Sequence, residues 1–190
     1  MTTRNPGPGF QRVTHERPLI EQQIDAYRMQ GKLAEPAVCP QCNAVFHKGR
    51  WQWMPVPAAA HHQICPACHR QNDGYPAGYV SLSGAFFDAH REEVLRVVRN
   101  HEQHERTEHP LKRIMAIEQQ GDATLVTTTD IHLARGIGEA VHHAYHGELE
   151  LHYNPGENQL RAYWQRLAVV CGVLWVLFSA VTSAGLRLLD

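Results

Sequence analysis

The stretch "CPQCNAVFHKGRWQW", Cys39 to Trp53, gathers two thiols, a histidine, two cations and three aromatic rings in one short segment. A second pair follows in "CPAC", Cys65 to Cys68, with residues 43 to 64 between the inner cysteines. Two Cys-x-x-Cys turns at this separation read as a four-cysteine zinc ribbon, because each tight turn presents two thiolates and Zn(II) takes four ligands tetrahedrally. Cys39, Cys42, Cys65 and Cys68 are the expected metal ligands, and Zn is the expected ion. A rubredoxin-like iron site or an iron–sulfur cluster would use the same four sulfurs. A thiol–disulfide redox protein is the competing reading. It calls for one pair at the start of a helix after a strand, whereas both pairs here are flanked by turn residues, which favours the metal. His47, His61, His62 and His69 lie near enough in sequence to replace a thiolate. Sulfur at all four positions is nevertheless the expectation.

Between the pairs, "AVFHKGRWQW" predicts a hairpin turning at "HKG". A metal module of this size has little apolar core, so Phe46, Trp51 and Trp53 are needed to cover it. The same residues also suit a nucleic-acid surface, with Lys48 and Arg50 on phosphates and Trp51 or Trp53 stacked on an unpaired base. Strand alternation puts Trp51 and Trp53 on one face and Arg50 and Gln52 on the other.

Working outward, residues 1 to about 13 are rich in Pro, Gly and Thr and read as a flexible tail. Leu19, Ile20, Ile24 and Tyr27 recur at helical spacing, which predicts a short helix before the cysteines. The ribbon is expected over 34–84. Beyond it, "FFDAHREEVLRVVRNHEQHERTEH" predicts an amphipathic helix of about five turns ending before Pro110. Two strands, "RIMAIEQ" and "ATLVTTT", flank a Gly121–Asp122 turn. Asp130 or Thr129 caps the helix "IHLARGIGEAVHHAYH", Gly147 stops it, and strands "ELELHY" and "QLRAYW" follow. The fold class is α+β: a zinc ribbon, then a small β-β-α-β-β domain over 85–165 with one helix on an antiparallel sheet.

Residues 167 to 186, "LAVVCGVLWVLFSAVTSAGL", carry no charge, and as a helix they would match a hydrocarbon core of about 30 Å. They read as a C-terminal transmembrane anchor, with a buried C-terminal helix as the alternative. Arg161 and Arg166 before the run and Arg187 after it favour the N-terminal side as cytoplasmic. The N-terminus shows no signal-peptide run, which places the cysteines in a reducing compartment. The expected localisation is membrane-associated, with the soluble domains in the cytoplasm.

Lys plus Arg number 18 against 19 Asp plus Glu, so no global field draws the chain to nucleic acid, and any basic function is local. Histidine is abundant at 14. "HEQHERTEH" lacks the spacing of a zinc protease, while His142 and His146 share a helix face that could form a second metal or pH-sensitive cluster. No P-loop, dinucleotide fingerprint or nucleophile elbow is present. The protein therefore reads as non-enzymatic, with no small-molecule substrate.

The motifs "CPQC" and "CPAC" and the later "TTTDIHLARGIGEAV" resemble the zinc-binding N-terminal region of the large-ribosomal-subunit export adaptor family, over roughly residues 38 to 146. The resemblance implies a zinc-dependent module that docks on ribosomal RNA or protein. The apolar tail departs from that pattern. Two partners follow as expectations: RNA or the ribosome, and, for a membrane-anchored adaptor, another protein.

Overall fold

The computed structural model describes residues 6–14, 25–27, 31 and 33–167. Two sheets organise them. The smaller contains β2 (Ala37–Val38), β3 (Val45–His47), β4 (Arg50–Gln52) and β5 (His61–His62) in the order β4-β3-β2-β5. Lys48 and Gly49 turn the β3–β4 hairpin with φ of 52° and 77°, the doubly positive geometry that two-residue hairpin loops favour. The Glu35 carboxylate accepts both turn amides, from Lys48 at 2.7 Å and Gly49 at 3.2 Å. After β5 comes α1 (Pro66–Asn72), with a proline at its start, where a missing N–H costs nothing.

The larger sheet has six strands: β1 (Gln11–Val13), β6 (Gly78–Ser83), β7 (Ile114–Gln120), β8 (Ala123–Thr128), β9 (Glu148–Asn154) and β10 (Gln159–Gln165), in the order β1-β9-β10-β6-β8-β7. All pairs are antiparallel except β10 with β6. Three helices belong to it: α2 (Ala85–Ala89), α3 (Arg91–Glu108) and α4 (Ile131–Tyr145).

Alternation in the central strands explains the packing. Val80 and Leu82 of β6, Val126 of β8, and Leu160, Ala162 and Trp164 of β10 are buried in one core with Leu133, Ala134, Ile137 and Val141 of α4. Those helical positions fall on one stripe, so α4 lies along the sheet while Val94, Leu95 and Val98 of α3 close the core beside it. The Asp130 carboxylate caps α4 by accepting the Leu133 amide at 2.8 Å. At its other end, Gly147 (φ 96°) turns the chain where a Cβ would lie 2.7 Å from the Gln165 carbonyl oxygen.

Several expectations change. The antiparallel β-β-α-β-β plan becomes a mixed sheet, because β6, inside the span expected for the ribbon, inserts between β8 and β10. Its alternating "GYVSLS" is a half-buried strand pattern, but its partners lie 40 or more positions away in sequence, beyond local reading. The long helix is two helices broken at His90, where the Phe86 and His90 rings stack at 4.2 Å and the Phe86 carbonyl sits 3.0 Å from His90 Nδ1. Part of the expected flexible tail is strand: β1 pairs with β9, Arg161 lies 4.6 Å from the Phe10 ring centroid, and its guanidinium donates to the Pro6 carbonyl at 2.8 Å.

Of the expected Leu19–Tyr27 helix only Asp25 to Tyr27 are described. They dock on α1, where Arg70 pairs with Asp25 and the Tyr27 hydroxyl donates to Asp73 at 2.9 Å. The expected membrane segment lies outside the described residues apart from Leu167. Among the described residues no helix is long and apolar enough to cross a membrane.

A Cβ on Gly78 would lie 2.3 Å from Ala134 Cβ and 2.5 Å from Thr128 Oγ1. Gly78→Ala is therefore expected to push α4 off the sheet and cost about 1–3 kcal/mol, read as a lower midpoint in urea with metal content unchanged.

Candidate metal centre

Each cysteine pair is set by a local device. Cys39 and Cys42 sit on a tight loop between β2 and β3, closed by Asn43 N–H to Cys39 O and Cys39 N–H to Ala44 O, both 2.8 Å, with Asn43 at φ 62°. Cys65 is the N-cap of α1, and Cys68 lies in its first turn, the Cys68 amide donating to Cys65 Sγ at 3.4 Å. The second pair therefore does stand at a helix start after a short strand, contrary to the expectation of turns on both sides. Helical propensity in "PACHRQN" is masked by the proline, which reads as a turn residue yet suits a first helical position.

The four sulfurs converge: their ligand atoms all lie within 4.8 Å of one another, and no other group of His, Cys, Asp and Glu among the described residues could hold an ion. Tetrahedral bonds of about 2.3 Å would place sulfurs about 3.8 Å apart, and Cys42 Sγ to Cys65 Sγ is 3.7 Å. That is too long for a disulfide, and all four are free thiols. Amides also point at the sulfurs, with Cys65 N–H donating to Cys39 Sγ at 3.4 Å. Converging N–H donors are what thiolate ligands require, so the residues fit a four-sulfur metal site. This is a metal-binding geometry. The same four sulfurs would serve zinc or iron.

The residue that sequence reading missed is Arg113. It is 5% exposed, and its guanidinium reaches Cys42 Sγ at 3.0 Å, Cys68 Sγ at 3.2 Å and Cys65 Sγ at 3.7 Å, while Nε donates to the Pro110 carbonyl at 2.7 Å. Its backbone is fixed by Thr129, whose hydroxyl accepts the Arg113 amide at 2.9 Å and whose own amide donates to the Arg113 carbonyl at 3.0 Å. A cation thus comes from the larger sheet into the sulfur cluster of the smaller one.

The protonation pattern follows. A hydrogen bond from Cys65 draws the Cys42 thiol down to about 4 against the opposing effect of burial, and the Ala44 amide and Arg113 act in the same direction. Cys65 is raised because the same bond holds its proton and burial disfavours its thiolate. Burial raises Cys68, against Arg113. Burial disfavours the charge on Arg113, but its bonds to Cys42 and Cys68 outweigh that and hold the guanidinium protonated. One thiolate–guanidinium pair is therefore built in, and a divalent ion would displace protons from the remaining thiols.

The residues proposed for nucleic acid separate. Lys48 stands at the hairpin tip, its amide committed to Glu35, and Arg50 is exposed beside it. Trp51 is half-buried, packed on the sulfur cluster and 5.5 Å from the Phe46 ring centroid. Trp53 does not share its strand: β4 ends at Gln52, and the Trp53 indole N–H donates to the Arg106 carbonyl at 2.6 Å in the last turn of α3. It joins the metal module to the larger domain, though the residue remains 39% exposed. His142 and His146 line a shallow surface cavity with Glu139 and His143, but these groups form no metal-ligating set.

The chain matches no protein-family model, no curated protein and no solved structure.

Removing the outer partner should weaken the ion without removing a ligand. Arg113→Ala is expected to lower metal affinity by about 10- to 100-fold, measured by competition with a chromophoric chelator, and Arg113→Lys to recover only part of it because the planar fork is lost.

Proposed function

We propose that this protein is a non-enzymatic, zinc-stabilised binding module whose partner is RNA, engaged at the β3–β4 hairpin beside the metal. What carries the reading is the closed sulfur set. Four thiolates would complete a tetrahedron, with Arg113 and backbone amides bonded to the sulfurs from outside, so no ligand position is left for water or substrate and the metal's role is structural. The core beside it is small: Cys39, Cys65, Ala67 and Cys68 are buried together with Trp51 and Leu111 against them, and the short strands add only Ala37, Val38 and Val45. An ion supplies the cohesion that so small a core lacks.

RNA is favoured over a purely protein partner by the chemistry of the hairpin: exposed Lys48 and Arg50 on either side of Gly49, and the half-buried Trp51 indole alongside. This is also the partner implied by the resemblance to the ribosomal export adaptor family. A membrane tether through 167–186 is compatible with either partner.

Two measurements test the reading. Cys39→Ser should lose the metal, and protease should then cut within 33–72 while the six-stranded sheet stays resistant; equal resistance with the metal gone would remove the structural role. Metal-loaded protein should retain single-stranded RNA in a salt-dependent way, and Lys48→Glu with Arg50→Glu should weaken binding and flatten that dependence. Salt-insensitive retention, or retention unchanged by the charge reversal, would favour a protein adaptor.

A further inference from the structure

A cavity of about 490 Å³ opens where the metal module meets the larger domain, within the range of roughly 300–1,000 Å³ typical of small-molecule sites. One wall is the hairpin, with Phe46 and Trp51; these are cross-strand partners, so their rings stand on the same face. Pro66, at the start of α1, and Leu111, on the loop between α3 and β7, close the apolar part. The polar part is unequal. Asp130 is committed to capping α4 at 2.8 Å, and Lys112 pairs with Glu105 at 2.6 Å. The guanidinium of Arg50, exposed at the lining, has no hydrogen-bond or ion-pair partner among the described residues.

Two aromatic rings beside an uncommitted guanidinium are suited to a planar ring carrying an anion. We propose that this seam cavity binds a nucleotide, its base against Trp51 and Phe46 and its phosphate held by Arg50 with Lys112 at the rim. Stacking against an aromatic wall accepts any base, and the guanidinium fork matches phosphate oxygens. The site depends on the metal because its walls come from segments that the ion and Arg113 hold together: the hairpin, the first turn of α1 and the loop leading to β7. The assignment deepens the RNA reading of the same surface, since the nucleotide is either free or one unpaired residue of a strand.

The test uses the full-length, metal-loaded protein and follows tryptophan fluorescence during titration with AMP, adenosine, inorganic phosphate and a single-stranded oligoadenylate. AMP or the oligoadenylate should quench saturably, adenosine and phosphate at least tenfold more weakly. Arg50→Ala should raise Kd about 10- to 100-fold, with metal content unchanged, and Lys112→Ala should raise it less. Quenching by AMP identifies a free-nucleotide site, whereas quenching by the oligonucleotide alone identifies a strand as the source. The proposal is overturned if neither ligand quenches at millimolar concentration, if Arg50→Ala binds as wild type, or if chelator-stripped protein binds equally well. Retention of RNA by Arg50→Ala without any change would overturn the cavity while leaving an RNA surface elsewhere on the hairpin.

Discussion

A buried guanidinium bonded to three of four clustered sulfurs is the contact on which this architecture turns. With a divalent ion bound, four thiolates would carry a net charge of minus two, and burying that charge unaided is expensive. Arg113 halves it and satisfies the sulfurs' remaining hydrogen-bond capacity at 3.0 and 3.2 Å. The dependence is mutual. A guanidinium 5% exposed would itself be an uncompensated charge without those sulfurs. Each side of the interface therefore supplies the charge that offsets what the other buries.

The two sheets reach stability by different routes. The six-stranded sheet buries a continuous core from β6, β8, β9 and β10 against α4 and α3, with Trp164, Phe87 and Leu82 among its fully buried side chains. The four-stranded one has strands of two or three residues, too short to cohere by hydrogen bonding and side-chain packing alone. What fixes its register is the hairpin turn at Lys48 and Gly49, Glu35 across both turn amides, and the sulfur cluster joining strand loop to helix.

How much of this could be read from the sequence depended on the range of the signal. The ligand set was legible because Cys-x-x-Cys is local and each pair is placed by its own turn, and α4 was legible because Asp130, its apolar stripe and Gly147 are all within one helix length. Four cysteines within reach of one ion match that reading, while the identity of the ion does not follow from spacing. β6 was assigned to the wrong layer because a strand's neighbours are not encoded near it, and here they are β8 and β10. Arg113 left no signal at all: one cation before a strand is ordinary, and its partners lie 45 to 71 positions earlier. Trp53 misled for another reason, since alternation holds only inside a strand and β4 stops one residue before it.

The contacts across the interface concentrate on one short run. Glu105 pairs with Lys112, the Arg106 carbonyl receives the Trp53 indole, Pro110 receives Arg113 Nε, Leu111 packs on the sulfur cluster, and Arg113 reaches into it. This run joins the end of α3 to the start of β7, both rooted in the larger domain. It is also hydrogen-bonded to the start of α4 through Thr129, whose hydroxyl donates to the Leu111 carbonyl at 2.6 Å. A change in the sulfur cluster therefore bears first on a loop, where backbone can move without breaking a helix or a sheet ladder. The same loop forms part of the cavity wall, so metal loading and the shape of that cavity share one mechanical element.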